Sequence, residues 1–348
     1  LVLAALALFL RFTHVGTAVR ASAERADRAA LLGIPVHAVN TLVWVIAAVL
    51  SFTAVFLQAN VVPLPLVQGA SLTVLFLPIA ALVLGRADHL PSVVVAAVAL
   101  GILDQAVVAS TGSQGLTYPV LAAVVLVALL VRRGTRGRAA AEAVSTWRAA
   151  DEVRPTPRAL LRVPEVAAAR WGGMALLVVV ALALPGWLGA GDLARASTVV
   201  VFALITLSVV VLTGWAGQVS LGQMSFVGVG AAAGAYSTVV WELDLAVGLV
   251  LAGLAGAAVA TLVGLPALRL RGIYLAVTTL AFALATSNYL LVRRHQSWIP
   301  TERIPRRPVL GHFAIADEAG IYRLCLVVVA LGFLAVAGLR ASRTGRAM

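Results

Sequence analysis

The chain has 348 residues, of which 61% are hydrophobic and 11% are charged, and its net charge is +12. Because soluble domains carry roughly 25% charged residues, this composition excludes an ordinary soluble protein and predicts an all-α polytopic membrane protein. All 26 basic residues are arginine, which excludes a Walker A lysine and a Schiff-base lysine in this chain.

Long apolar runs predict the membrane spans, since a helix needs about 20 mostly apolar residues to cross a bilayer. The chain starts inside such a run and stops inside a basic segment, so we expect it to be part of a longer protein. In chain order, the predicted spans are residues 1–10 (partial), 39–58, 63–85, 91–110, 116–131, 172–189, 195–213, 217–240, 245–265, 273–292 and 321–339.

Residues 132–171 form a long polar stretch with nine arginines, four acidic residues and three prolines. We interpret it as a cytosolic linker between two membrane units, and a short amphipathic helix on the membrane surface is also compatible with the pattern. A cytosolic linker places most arginines on the inner side of alternating spans, as the positive-inside rule expects. The basic residues of segment 293–323 would then be external, either as a surface for a soluble partner or as an ordinary solvated loop.

Two basic segments follow apolar runs that end in leucine. "RFTHVGTA" (11–18) and "RASRTGRA" (340–347) share Arg, Gly and Ala at the same offsets. The first continues as "VRASAERADRAALLGIPVHAVN" (19–40), which predicts a cytosolic helix that ends at Gly33-Ile34-Pro35. Such a helix could dock on a partner, and a plain intracellular loop is an equal alternative.

"GWAGQVSLGQMSFVGVGA" (214–231) combines glutamines, serines and small residues where a span should begin. On a helix, Gln218, Gly222 and Ser225 would share one face and Gln223 would lie off it; the segment could equally begin as a non-helical re-entrant loop. Polar residues at this depth indicate a function or interhelix hydrogen bonds. The candidate pathway residues are Gln218, Ser220, Gln223 and Ser225.

Glycine spacing in this stretch is not that of a dinucleotide or phosphate loop. Gly230 and Gly234 instead form a small-x₃-small pattern, which is typical of close helix packing in membranes. Asp104 is the acidic residue deep within an apolar run, where it would lie near the end of the span or pair with a polar neighbour. The five histidines and the single cysteine show no metal-binding spacing, so we predict no metal site and no catalytic residues.

Two stretches resemble a known family. "AVRASAERADRAALLGIP" (18–35) resembles the cytosolic coupling loop of ABC importer permeases, in the form found in branched-chain amino acid permeases. "GWAGQVSLGQMSFVGVGA" followed by "GLPALRLRGIYLAVTTLAFA" (264–283) resembles the second permease subunit of that system. Residues 1–131 are similar to the C-terminal half of a first permease subunit and 172–348 to the N-terminal part of a second. The resemblance thus implies two permease-type helical units joined by the linker 132–171.

The resemblance implies a permease without enzymatic activity in a bacterial inner or plasma membrane, working by alternating access for branched-chain or related amino acids. The implied partners are separate ATPase subunits and an extracytoplasmic substrate-binding protein. The ATPase subunits would bind the ATP, and we expect this chain to bind no cofactor. The implied ATPase-coupling residues are Arg20, Glu24, Ala29, Ala30, Gly33, Arg340 and Gly345. Two alternatives are a permease for urea or short amides and an ion-coupled secondary transporter in which Asp104 carries the ion.

Overall fold

The structure is a computed structural model that describes residues 2–61, 72–85, 89–113, 115–131, 163–267, 269–270, 272–300, 304–305, 309, 315 and 317–342. Every element of regular structure in these residues is a helix. Seven of these helices are long and apolar enough to cross a membrane. The predicted fold class, an all-α polytopic membrane protein, is therefore confirmed.

The chain divides into two compact units, Leu1–Val74 and Leu75–Met348. The first unit holds α1 (Val2–Phe12), α2 (His14–Glu24), α3 (Ala26–Leu31) and α4 (Val36–Val61). α5 (Leu72–Leu84) crosses the boundary between the units. The remaining helices of the second unit are α6 (Leu90–Thr111), α7 (Thr117–Val131), α8 (Pro164–Trp187), α9 (Ala190–Val209), α10 (Gln223–Val239), α11 (Leu245–Ala267), α12 (Ile273–Ala285) and α13 (Glu318–Ala341).

In the first unit, the predicted cytosolic helix is split into α2 and α3 because Arg25 is extended, with φ −154° and ψ 101°. Thr13 caps α2: its Oγ1 accepts a hydrogen bond from Gly16 N at 2.9 Å. Gly16 also allows a close approach, since a Cβ there would lie 2.5 Å from Leu10 O. The turn from α1 into α2 is therefore tightly packed.

The predicted helix end at Gly33 is confirmed. Gly33 has φ +83°, a left-handed conformation that glycine adopts without a steric penalty. Its N–H donates to Ala30 O at 3.0 Å, and Ile34 N donates to Ala29 O at 3.1 Å. These two bonds form a Schellman motif, which satisfies the last carbonyls of α3 and turns the chain into α4.

The core of the second unit is formed where α7 packs along α12. Leu121, Val125 and Leu129 recur every four residues, so they lie on one face of α7, and all three are buried. On α12 the matching buried residues are Val277, Leu280, Ala281 and Leu284, and α5 adds Phe76, Ala80, Ala81 and Val83. Two further pairs of helices pack along each other, α9 with α13 and α10 with α11.

Most predicted spans correspond to helices, with two differences in where a helix starts. The span predicted at 217–240 is a helix only from Gln223. α8 begins at Pro164, inside the predicted linker, because proline at a first helical position and Glu165 in the first turn both favour a helix start. The linker residues 132–162 and the start of the predicted span 63–85 lie outside the described residues, so the division into two permease units remains a prediction.

Candidate functional site: a broken segment in the membrane

The polar stretch around Gln218 is a break between two helices of the second unit. α9 continues as a π-helix, Val210–Trp215, and α10 begins at Gln223. Between them, residues 216–222 are not helical, and Gly217 takes a left-handed φ of +64°. We call residues 216–222 the broken segment.

This geometry decides between the two interpretations of the stretch. Gln218 and Gly222 precede the helix, so they do not share a helical face with Ser225. The non-helical alternative is the one the structure shows. Hydrophobic periodicity could not reveal the break, because the π-helix and the left-handed Gly217 that precede it have no periodic signature in the sequence.

The length of α10 predicts that the broken segment extends a membrane span. α10 has 17 residues, which makes it about 25 Å long at 1.5 Å per residue. A bilayer core is about 30 Å thick, so α10 alone is short for a crossing and the broken segment completes it. Non-helical backbone at such depth is tolerated only when it is buried in protein or lines a water-filled cavity.

The broken segment is held against α12. Leu221 N donates to Thr279 Oγ1 at 3.0 Å. Gly222 is buried beside the same residue, and a Cβ at Gly222 would lie 2.6 Å from Thr279 O. Only glycine fits this approach of backbone to backbone. Thr279 lies about 9 Å along α12 from its first residue, Ile273, so the contact is well inside the helix.

Internal hydrogen bonds satisfy other groups of the broken segment. Gln218 N donates to Leu212 O at 3.0 Å, and Gln218 O accepts from Thr213 Oγ1 at 3.3 Å. Gly222 N donates to Ser220 Oγ at 3.3 Å. The backbone is therefore anchored to the preceding π-helix at one end and to α12 at the other, which makes it an ordered element of the fold.

The four predicted pathway residues occupy different positions. Gln218 and Ser220 are half-buried in the broken segment, and Ser220 Oγ is used by a backbone N–H. Gln223 is half-buried at the start of α10, where its Nε2 donates to Ser208 Oγ of α9 at 2.8 Å. Ser225 is buried in the first turn of α10. All four thus lie in or directly beside the break, and a pathway role stays a prediction.

Gly230 and Gly234 lie where α10 meets α11. A Cβ at Gly230 would be 2.8 Å from Ala252 O, and a Cβ at Gly234 would be 2.9 Å from Ala252 Cβ. Gly248 of α11 is as restricted, since its Cβ would be 2.5 Å from Thr238 Cγ2. Small residues therefore let the two backbones approach closely.

Two contacts between helix ends are consistent with spans that cross the membrane in alternating directions. The guanidinium carbon of Arg340, in the last turn of α13, lies 5.5 Å from the Trp215 ring centroid. Gly115, between α6 and α7, packs against the His295 ring so closely that a Cβ would collide with it. The topology predicted from arginine counts places the first pair on the inner side and the second pair on the outer side, and that assignment of sides remains a prediction.

Most of the predicted coupling residues are at the surface of their unit. Arg20, Glu24 and Ala30 are exposed, as is Arg340, whereas Ala29 is buried, and Gly345 lies outside the described residues. The sequence analysis missed an apolar tip beside them: Leu31 and Leu32 are 87% and 81% exposed at the end of α3. Because two solvent-exposed leucines outside a membrane span are costly to hydrate, this tip is a candidate surface for binding a partner protein.

Asp104 lies in α6, where its Oδ2 accepts a hydrogen bond from Gln105 Nε2 at 3.2 Å. It therefore has the polar neighbour that the sequence analysis considered. Among the described residues, no group of three or more His, Cys, Asp or Glu could hold a metal ion. The broken segment, whose backbone is hydrogen-bonded to α12, is therefore taken as the candidate functional site.

An apolar cavity of about 560 Å³ lies between α8 and α9. Tyr322 of α13 contributes to its lining, but its OH is already donated to Ala181 O at 2.9 Å. The other lining residues are Gly173, Leu176, Leu177, Val180, Ala181, Leu184, Ala196, Val199 and Val200. Because this lining offers little to a charged or zwitterionic molecule, the cavity does not compete with the broken segment as a site for polar solutes.

Ser208 and Thr279, two residues that contact the break and the start of α10, were not predicted from the sequence. Thr279 does bond back to Ala276 O at 3.0 Å, but it also accepts from the broken segment. Ser208 likewise donates to Ile205 O in its own helix and accepts a hydrogen bond from Gln223 Nε2. No local pattern marks either residue, because each partner comes from another helix or the broken segment.

The helices, the broken segment and its polar residues define a multi-pass membrane protein with an interrupted span. The chain belongs to the family described as branched-chain amino acid transport system / permease component, whose model matches residues 1–131 and 193–348. The resemblance inferred from the motifs is thereby confirmed. The chain is a permease component of a transport family.

Two relatives share part of the chain. The high-affinity branched-chain amino acid transport system permease protein LivM of Salmonella typhimurium is 38% identical over 109 residues, which are 31% of this chain and 25% of the relative. LivM of Escherichia coli K12 is 36% identical over 106 residues, which are 30% of this chain and 25% of the relative. The matches therefore span about a quarter of each relative's length. No solved structure significantly matches the chain.

Proposed function

We propose that this chain forms membrane domains of an ATP-driven importer for branched-chain or related amino acids in a bacterial inner or plasma membrane. The observation that carries the proposal is the family match on both sides of the basic segment 132–171, over residues 1–131 and 193–348. Two permease units, 1–131 and 172–348, then work as one polypeptide joined by the cytosolic segment 132–171. The solute moves by alternating access.

The broken segment is the part of the pathway that this chain contributes. A zwitterionic amino acid must exchange its hydration shell for hydrogen bonds inside the membrane. Unwound backbone and the polar residues Gln218, Ser220 and Gln223 can supply such bonds, since a helix has no free backbone groups in its interior. Alternative solutes such as urea or short amides would use the same groups.

ATP is bound and hydrolysed on separate subunits in this proposal. The first contact for such a subunit is the surface of α2 and α3, which carries Arg20 and Glu24 as exposed charges and ends in the exposed Leu31–Leu32 tip. Arg340 begins the second contact, at the end of α13. An extracytoplasmic binding protein delivers the solute from the other side.

The energy source distinguishes the importer from an ion-coupled transporter. We expect the full-length protein to co-purify with an ATPase subunit, and uptake of radiolabelled leucine by cells to stop when ATP is depleted with arsenate. Uptake should persist when an ionophore dissipates the ion gradients, because no coupling ion is needed. Asp104→Asn should leave uptake within about twofold of the unmodified protein, since this amide still hydrogen-bonds Gln105.

The opposite pattern contradicts the proposal. Uptake that survives ATP depletion, collapses with the ionophore and is lost in Asp104→Asn identifies an ion-coupled carrier. A binding-protein ligand screen with leucine, urea and acetamide then separates amino acid transport from amide transport.

Gly33 tests the ATPase contact. Gly33→Val places a β-branched residue at φ +83°, which costs about 1–2 kcal/mol and disturbs the Schellman motif that presents the Leu31–Leu32 tip. We expect the amount of co-purified ATPase to fall about tenfold, because that strain is relieved only by moving the end of α3.

A matched control is Gly112→Val, since Gly112 ends α6 with a similar φ of +64° and open space around it. It carries the same backbone strain but lies away from the proposed contact, so it should retain the ATPase. The double variant Leu31→Ser/Leu32→Ser removes the apolar tip without backbone strain, and we expect it to lose the co-purified ATPase. Equal ATPase recovery from all three variants would place the contact elsewhere.

A further inference from the structure

Two side-chain hydroxyls flank the broken segment with the same hydrogen-bond pattern. Ser208 Oγ of α9 donates to Ile205 O at 2.7 Å and accepts from Gln223 Nε2 at 2.8 Å. Thr279 Oγ1 of α12 donates to Ala276 O at 3.0 Å and accepts from Leu221 N at 3.0 Å. Both hydroxyls therefore join another helix to the C-terminal end of the break, at Leu221 and at Gln223, the first residue of α10.

Proton counting fixes the direction of these bonds. A hydroxyl has one hydrogen, and both Ser208 and Thr279 give that hydrogen to a carbonyl of their own helix. With these bonds formed, they act as acceptors toward the break. Only N–H groups can then face them, as Leu221 N and the Gln223 amide nitrogen do.

This restriction sets the orientation of the Gln223 side chain. If the amide turned over, its Oε1 would face the Ser208 oxygen, and the Ser208 hydroxyl would have to give up its bond to Ile205 O in order to donate to it. Ser208 therefore holds the NH₂ group of Gln223 toward α9, and the carbonyl oxygen Oε1 must point in another direction. A half-buried amide oxygen held in this way is an acceptor with a defined orientation.

We propose that Ser208 and Thr279 are positioning residues of the transport pathway, and that Ser208 leaves Gln223 Oε1 as the acceptor for the ammonium group of the transported amino acid. This inference rests on the proposed function as an amino acid permease. An ammonium group carries three donors and no acceptor, so it complements an amide oxygen and not an amide nitrogen. Thr279 holds the backbone of the break at the level where this contact forms.

The experiment compares each hydroxyl with a matched neighbour in the full-length protein reconstituted with its ATPase and binding protein. Thr279→Val and Ser208→Ala should lower leucine uptake per ATP hydrolysed about tenfold, the loss expected for one hydrogen bond to a charged group or for an unpaired buried N–H. Thr279→Ser and Ser208→Thr keep the hydroxyl and should restore uptake.

The controls are Thr278→Val and Thr206→Val. Thr278 is buried on the same helix as Thr279 and donates to Tyr274 O at 2.8 Å, and Thr206 on α9 donates to Phe202 O at 2.8 Å. Both lose a hydroxyl that bonds within its own helix, and both should transport within about twofold of the unmodified protein. Equal losses in the controls, or no rescue by the conservative variants, would overturn the positioning role.

Gln223 variants test the acceptor. Gln223→Met removes Oε1 and should lower uptake about tenfold, whereas Gln223→Glu keeps an acceptor oxygen and should retain more uptake than Gln223→Met. In the Gln223→Met background, Ser208→Ala should have no further effect, because Ser208 acts through Gln223. Equal uptake by the Met and Glu variants, or additive losses, would contradict the inference. Failure of the proposed function would appear in the unmodified protein, as uptake that needs no ATPase.

Discussion

Gly222→Ala should nearly abolish transport, with a larger effect than any side-chain removal in the broken segment. The added Cβ would lie 2.6 Å from Thr279 O and 3.2 Å from Thr279 Cβ. The nearest atom is backbone oxygen of a buried helix, so it cannot rotate away as a flexible side chain could. The broken segment must therefore move off α12, and its bond from Leu221 to Thr279 is lost with it.

Overpacking of this kind costs about 1–3 kcal/mol, which is added here to the cost of an unpaired N–H at membrane depth. We expect leucine uptake to fall more than about tenfold, while the protein still reaches the membrane because the helix pairs on either side remain intact. Uptake per molecule, normalised to the amount of protein in the membrane fraction, is the measurement.

Gly214→Ala is the matched control. It lies in the π-helix just before the break, and its Cβ would make an ordinary contact of 3.7 Å with Val210 Cγ1. Both variants add one methyl group to a glycine of the same stretch. If both transport equally well, the close approach of Gly222 to Thr279 has no role in transport.

The helices themselves could be predicted because each is an apolar run of suitable length. α11 was predicted at 245–265 and is Leu245–Ala267, and α6 was predicted at 91–110 and is Leu90–Thr111. Lipid requires continuous apolar surface, and this requirement is visible in composition alone. The predicted end of α3 at Gly33 was correct for a similar local reason, since a glycine followed by a proline two residues later favours the end of a helix.

The site was only partly predictable. Local composition identified Gln218, Ser220 and Gln223 as unusual in an apolar chain, but it could not reveal that α10 starts at Gln223. The residues before that start are hydrogen-bonded to Thr279, which is far along the chain and belongs to another helix. Contacts between distant helices follow from tertiary packing and leave no periodic pattern in either partner.

Gly230→Val should cause the largest loss of stability among single substitutions in the second unit. α10 packs along α11, and the first Cβ atom alone would lie 2.8 Å from Ala252 O. Valine adds two more carbons, so the helices must separate and lose dispersion contacts along their interface, which are the main force between helices in lipid. We expect the melting temperature of the purified full-length protein to fall by several degrees, measured by size exclusion after heating.

Gly253→Val is the control on the facing helix, because Gly253 has no heavy atom within 4 Å of its added Cβ. It lies next to Ala252 in sequence but points away from α10, so its melting temperature should stay close to that of the unmodified protein. An equal drop in both variants would mean that valine lowers stability through helix propensity and not through the interface.

Paired substitutions distinguish the two glycines of α10. The obstacle at Gly234 is the Cβ atom of Ala252, at 2.9 Å, whereas the obstacle at Gly230 is the backbone oxygen of Ala252. Ala252→Gly removes the Cβ atom and leaves the oxygen in place. It should therefore restore part of the stability lost in Gly234→Ala, and the rest of that loss is due to Gly248 O at 3.2 Å. It should restore none of the stability lost in Gly230→Ala. Rescue of both variants, or of neither, would show that α10 and α11 do not pack in this register.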